Sequence, residues 1–155
     1  MNFEPGQEHA WLDQLVGDWS YTASAPQCGA MPPGRETVRS VGGFWNVGEG
    51  SGTAPDGTPV TSLITLGYDT RLTSFVGSWV GSMMPYMFVY EGTLDRTANT
   101  LTLDCQGPDF SDPTKSASYR EVVTVLDGTT RTFVSYMEAA DGTWTEIMNA
   151  RYQRV

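Results

Sequence analysis

The chain has 155 residues, 39% of them hydrophobic, which fits a single folded domain over 1–155 and excludes a disordered chain. Its 18 acidic and 9 basic residues give a net charge of -9, so we expect neither nucleic acid nor an anionic membrane surface as a partner. No apolar stretch approaches the roughly 20 residues of a transmembrane helix, and the acidic N-terminus lacks the pattern of a secretory signal, so we expect a cytoplasmic location.

One short helix and ten strands are predicted along the chain. The helix covers 6–17, because apolar residues from Trp11 to Val16 recur at helical spacing and Gly17 ends the run. After Gly17 the sequence alternates or is rich in β-formers, with frequent turn signals. The predicted strands are 18–24, 35–41, 44–52, 60–68, 73–81, 86–94, 100–107, 116–126, 130–138 and 144–155, with loops at 25–34 and 108–115.

These elements indicate an all-β fold. Short turns without intervening helices favour antiparallel neighbours. A sheet of about ten strands in one small domain must curl or split, and closing it into a barrel removes its edges. We therefore predict an up-and-down antiparallel barrel of about ten strands with a short N-terminal helix. A jelly roll is the alternative, although it needs longer crossing connections than the sequence contains.

The segment Gly17-Asp18-Trp19, at the start of the first strand, resembles the G-x-W signature of the lipocalin and calycin barrels. In those families the tryptophan packs at the closed end of the barrel under an arginine from the last strand. The resemblance implies this role for Trp19, with Arg151 or Arg154 above it. Six phrases resemble an uncharacterised bacterial family of small calycin-like proteins, which implies a barrel and no particular activity: "WLDQLVGDW", "VRSVGGFW", "TSLITLGYD", "FVGSWVGSMM", "YEGTLD" and "DGTWTEIMNARYQR".

No cofactor and no metal site is predicted. The related nitrobindins ligate haem iron through a histidine near the C-terminus, whereas residues 144–155 contain none. The only histidine, His9, lies beside Trp11 at the start of the helix, where we expect a surface or capping role. Cys28 and Cys105 match no zinc or redox spacing and are expected to be ordinary thiols.

The stretch 76–92, "VGSWVGSMMPYMFVYEG", is predicted to line a cavity. Alternate residues of a barrel strand point inward, and Gly77 and Gly81 leave space beside the large aromatic rings on the same face. The two methionines at the following turn are placed at the barrel mouth, where an adaptable side chain suits an irregular apolar ligand. A plainly packed core is the alternative. The predicted lining residues are Trp79, Met83, Met84, Tyr86, Phe88 and Tyr90.

Further candidates come from strands in which a carboxylate shares a face with apolar or aromatic residues. An inward carboxylate requires a partner, such as an arginine or a tyrosine hydroxyl. A bulge that shifts the alternation by one residue would instead place these glutamates on the solvated face. The added candidates are Trp45, Glu49, Tyr119, Glu121, Tyr136 and Met148.

The leading functional hypothesis is a binding protein for a small hydrophobic or aromatic molecule held inside the barrel. The alternative is a cofactor-free enzyme, an isomerase, cyclase or hydrolase, that uses Glu and Tyr as acid and base in the same cavity. No particular catalytic residue is predicted, and no G-x-S-x-G segment supports a serine nucleophile. A third hypothesis is an assembly role, with a homodimer through Val76 and Val80.

Overall fold

In the computed structural model, which describes residues 1–155, ten antiparallel strands close into a barrel. Each strand pairs with the next along the chain, and β1 pairs with β10 to close the sheet. The predicted all-β up-and-down barrel with a short N-terminal helix is confirmed, and the jelly roll is wrong. The elements are α1 Gln7–Leu12 with a 3₁₀ turn at Asp13–Leu15, β1 Gly17–Ala25, β2 Gly29–Val41, β3 Trp45–Thr53, β4 Pro59–Asp69, β5 Ser74–Gly81, β6 Phe88–Asp95, β7 Thr100–Asp109, β8 Asp112–Val125, β9 Thr130–Glu138 and β10 Trp144–Arg154.

The two predicted long loops are largely strand. β2 already begins at Gly29, and its register against β1 shifts so that Pro32 and Pro33 lie opposite the single residue Thr22. Proline cannot donate to a strand ladder, but a bulge of this kind accommodates it. The second predicted loop contracts to a tight turn between β7 and β8, where the carboxylate of Asp109 accepts the Ser111 N–H.

The N-terminal helix closes one end of the barrel. Leu12 and Leu15 are fully buried, and Trp19 packs beneath Arg154, whose guanidinium carbon lies 4.2 Å from the indole centroid. The Arg154 guanidinium also donates hydrogen bonds to three carbonyls of this end, those of Gln14, Val16 and Gly128. Arg154 therefore fills the role that the resemblance implied, whereas Arg151 is exposed.

His9 fixes the helix to the barrel. Its Nδ1 accepts a hydrogen bond from the Gly6 N–H, so the predicted capping role is present. That bond leaves the proton on Nε2, which donates to the Tyr68 carbonyl at 3.0 Å. The expectation of a surface position is wrong, because the imidazole is buried edge-on against Phe44 and Tyr68.

The opposite end of the barrel stays open. In an up-and-down barrel alternate connections lie at the same end, so the β1–β2, β3–β4, β5–β6, β7–β8 and β9–β10 turns surround this opening. The helix and both chain ends lie at the other end, where Val155 donates its N–H to Asp18. The barrel therefore has a closed bottom and a mouth, and the predicted turn with Met83 and Met84 lies at the mouth.

Candidate functional site

The barrel encloses a cavity of about 460 Å³. Of its 33 lining residues, 22 are hydrophobic. The cavity extends from Leu15, above the closed end, to Met83 and Phe110 at the mouth. Its volume lies within the roughly 300–1,000 Å³ typical of small-molecule sites.

The cavity exists because small residues face large ones across the barrel. On β3 the inward side presents Gly48 and Gly50, both buried, and on β1 and β10 it presents Ala23 and Ala150. These residues cannot fill a ten-stranded barrel, whose interior is wider than that of an eight-stranded one. The opposing wall is aromatic and comprises Trp79, Phe88, Tyr90, Tyr119 and Phe133.

Eight of the predicted residues line the cavity. The rings of the aromatic members contact one another, with centroids 6.0 Å apart for Trp79 and Phe88 and 5.8 Å apart for Phe88 and Tyr119. In both pairs the ring planes are strongly inclined to each other, which is a geometry that aromatic pairs prefer. The eight are Trp79, Met83, Met84, Phe88, Tyr90, Tyr119, Glu121 and Met148.

The inward placement of Trp45 and Glu49 is wrong. On β3 the residues that face the interior are Asn46, Gly48 and Gly50, so their neighbours point outward. Trp45 is 42% exposed and lies flat over its cross-strand partner Gly67, where an added methyl group would overlap the indole. An outward aromatic ring that covers a glycine in this way is a recurrent feature of curved sheets. At such a position the large hydrophobic residue faces outward and the glycines face the interior, which is the opposite of what hydrophobic alternation predicts.

Tyr86 and Tyr136 also lie outside the cavity. Tyr86 is 40% exposed and belongs to the β5–β6 connection, because β6 begins only at Phe88. Tyr136 follows Ser135, which faces the cavity, so Tyr136 faces outward. It lies opposite Arg120 in the register of β8 and β9.

A bulge in β10 interrupts the alternation of inward and outward residues next to Met148. The register shifts between Glu146 and Met148, so Glu146 is exposed while Met148 and Ile147 both line the cavity. Trp144 lies outside, beneath the guanidinium of Arg120 at 4.2 Å. The alternative interpretation of a solvated face thus holds for Glu49, and it is wrong for Glu121.

Glu121 is the centre of one polar group on the cavity wall. It is only 9% exposed, and the Ser135 hydroxyl donates a hydrogen bond to its Oε2. Burial raises the pKa of Glu121 to about 7, against the opposing effect of that hydrogen bond. No protein group donates a hydrogen bond to its Oε1, and this oxygen remains partly accessible. The carboxyl group therefore has one oxygen available to a molecule in the cavity.

Tyr90 and Cys105 lie close enough to feel the charge of Glu121. Burial, and secondarily the Glu121 charge, raises the pKa of Tyr90 far above its usual range. The same two causes, together with the charge of Asp104, raise the pKa of the Cys105 thiol to about 12. Both groups are therefore neutral at physiological pH. The Tyr90 hydroxyl makes no hydrogen bond to the protein and, like Glu121 Oε1, remains free to bond elsewhere.

A second polar group lies nearer the closed end. Arg131 and Glu36 form a buried ion pair, with side-chain exposures of 5% and 11%. The Arg131 guanidinium carbon lies 3.8 Å from the Tyr152 ring centroid and 4.6 Å from that of Trp19. The cation is thus matched by one carboxylate and two rings. Sequence reasoning missed Glu36, because its partner is 95 residues away and only the barrel register brings them together.

No group of three or more His, Cys, Asp or Glu side chains is placed to hold a metal ion. Neither helical segment has the length and hydropathy that a membrane crossing requires.

Residues 4–154 match a family described as "Protein of unknown function (DUF1579)". The chain belongs to this family. No curated protein matches it. The family description assigns no activity, so the residues of the cavity carry the functional argument.

Three solved structures are similar over nearly the whole chain. Rv2717c from M. tuberculosis is 15% identical with a TM-score of 0.70, covering 98% of this chain and 99% of that chain. EF1p2_mFAP2b bound to DFHBI is 13% identical with a TM-score of 0.53, covering 96% and 100%. The redesigned beta barrel mFAP0, also bound to DFHBI, is 14% identical with a TM-score of 0.52, covering 91% and 99%. At these identities the likeness shows the fold alone.

Proposed function

We propose that the protein binds a small, largely apolar or aromatic molecule inside the barrel. The observation that supports this most directly is the cavity of about 460 Å³ with its mainly hydrophobic wall. A pocket of this size and character is typical of small-molecule sites. Two similar barrels are bound to the small dye DFHBI, which supports the idea that this architecture can hold an aromatic guest.

The mouth suits entry of such a molecule. Met83 and Met84 line the cavity at the β5–β6 connection, and Met83 is half exposed. Methionine is flexible and polarisable, so these side chains can adjust to guests of different shape. Deeper in the barrel the wall is built from rings on strands, which hold their positions more rigidly.

Filling the cavity tests this proposal. The probe is N-phenyl-1-naphthylamine, whose fluorescence rises in apolar surroundings. Ser62→Phe and Ala23→Phe place a ring inside the cavity from different strands, and Ser51→Phe places the same ring on the outer surface of β3 as a control. We expect saturable binding by the wild type and the control, and none by the filled variants. Absence of binding by the wild type, or equal binding by folded filled variants, would refute the proposal.

Native mass spectrometry of the protein purified from its own host identifies the natural guest. A stoichiometric added mass, released by denaturing extraction, gives the ligand. The twelve residues predicted to bind it remain predictions until such a complex is examined, and four of them lie outside the cavity.

An enzyme is the second candidate, and Glu121 is the observation that favours it. A carboxyl group with a pKa of about 7 in an apolar cavity can act as a general acid or base near neutral pH, with the neutral Tyr90 hydroxyl beside it. The test is to incubate the extracted molecule with the protein and follow its chemical conversion. Conversion that is lost in Glu121→Gln supports catalysis, and an unchanged molecule after prolonged incubation contradicts it.

The remaining proposals concern place and partners. We propose a cytoplasmic location, because Cys28 and Cys105 are both free thiols.

A homodimer through the outer surface of β4 to β6 is supported by Leu63, paired with Val80, and by the exposed Val89. Light scattering of Val89→Lys beside the wild type tests it, since only a real dimer would dissociate. Kinship with the calycins and a bacterial origin stay predictions.

A further inference from the structure

The cavity contains one carboxyl group without a countercharge, that of Glu121. The groups packed around it come from three neighbouring strands: Ser135 on β9, Leu103 and Cys105 on β7, and Tyr90 on β6. None of them is cationic, and only burial and the Ser135 hydroxyl act on the carboxyl group. Its Oε1 accepts no hydrogen bond from the protein and stays accessible, so a group of a molecule in the cavity can reach it.

The only cation on the cavity wall is already matched. Arg131 is paired with Glu36 and covered by the ring of Tyr152, which compensates its charge, while its Nε makes no hydrogen bond. A ligand carboxylate would therefore find no free positive charge, and it would meet both Glu121 and a protein of net charge -9. These charges disfavour an anionic guest.

The aromatic rings that line the same cavity favour the opposite sign. Tyr90, Phe88 and Tyr119 line the cavity on β6 and β8. The face of an aromatic ring carries negative electrostatic potential and attracts cations, most strongly in a site without water. A carboxylate and several rings on one wall are thus complementary to a positively charged nitrogen.

We propose that this cavity selects apolar molecules that carry a single amine, whose ammonium group pairs with the Glu121 carboxylate and bonds to the Tyr90 hydroxyl. The inference rests on the proposed ligand-binding function and specifies its ligand class. An ammonium ion favours the ionised carboxylate, so binding releases the proton that Glu121 holds in the free protein. Affinity for the amine therefore rises with pH until Glu121 is ionised, whereas affinity for an uncharged analogue does not.

Three probes of nearly the same shape test the selectivity by isothermal titration calorimetry at pH 7.5. They are 1-naphthylmethylamine, 1-naphthalenemethanol and 1-naphthoate, which are cationic, neutral and anionic. We expect the amine to bind at least about ten-fold more tightly than the alcohol, and the carboxylate to bind most weakly. In Glu121→Gln the affinity for the amine should fall to within about three-fold of the affinity for the alcohol. The affinity for the alcohol itself should stay the same. Glu49→Gln removes the same charge from the outer surface and should change nothing.

The pH dependence supplies an independent test. Between pH 7.5 and pH 5.5 the wild-type affinity for the amine should fall at least about ten-fold, and that of the alcohol should stay level. Binding of none of the three probes refutes the proposed function itself. Binding of the alcohol without preference for the amine, a preference that survives Glu121→Gln, or a pH-independent amine affinity overturns only the selectivity.

Discussion

Ionising Glu121 should destabilise the fold, and Glu121→Gln should remove that effect. Glutamine has nearly the same shape as a protonated glutamic acid and can still accept the hydrogen bond from Ser135. It differs in carrying no charge at any pH. The variant therefore isolates the free energy of placing a carboxylate in the apolar wall.

The size of the effect follows from the pKa. Burial raises the pKa of Glu121 from 4.5 to about 7, and each pH unit corresponds to about 1.4 kcal/mol. Because the folded-state pKa is above the unfolded one, its contribution to stability is fully present below pH 4.5 and is lost as the pH rises to about 7. The loss amounts to about 3 kcal/mol in the wild type and is absent from the variant.

Urea denaturation followed by tryptophan fluorescence measures this difference from pH 4.5 to pH 8. Other carboxylates titrate in the same range, but they are common to both proteins and cancel when the two free energies of unfolding are subtracted. We expect the stability of Glu121→Gln relative to the wild type to increase by about 3 kcal/mol across the range. The exposed Glu49→Gln should show no such trend. A flat difference for Glu121→Gln, or a fall with rising pH, would refute the assigned environment of this residue.

Three further substitutions test the packing of the barrel by urea denaturation. Arg154→Lys should cost about 2 kcal/mol, because an ammonium group cannot reach all three carbonyls that the guanidinium joins; an unchanged midpoint would contradict this. Gly77→Ala should cost about 1–3 kcal/mol, since the added methyl overlaps the Thr65 carbonyl oxygen, and a neutral result would show that the strands can separate there. Glu36→Gln should cost about 3 kcal/mol or more by leaving Arg131 buried without its carboxylate, and a gain in stability would count against the pair.

The architecture could be predicted because its signals are local. Period-two alternation and turn residues mark each strand, and β9 was predicted at its observed bounds, 130–138. Alternation with Tyr119 and Val123 gave Glu121 as an inward candidate beside the solvated-face alternative, and the structure places it inward because β8 runs without a bulge there. Local alternation was sufficient for Glu121, but it failed for Trp45 and Glu49 on β3, which is equally regular.

The remaining features depend on neighbours distant in sequence. On β3 the glycines face the interior and Trp45 faces outward, and only pairing with Gly67 explains that arrangement. The bulge that turns Glu146 outward has no sequence marker of its own. The outward positions of Trp45 and Glu146 could not be assigned before the register of the barrel was known.

The pairing of β1 with β10 has a consequence for how the chain folds. Trp19 lies opposite Arg154, so the last ladder to close joins residues from the two ends of the sequence. Contacts of such separation carry a large loop-closure entropy and slow folding. A nascent chain cannot complete the barrel until its final eleven-residue strand, Trp144–Arg154, has left the ribosome. Until then β1 and β9 present open edges, which are the surfaces most prone to pair with another chain.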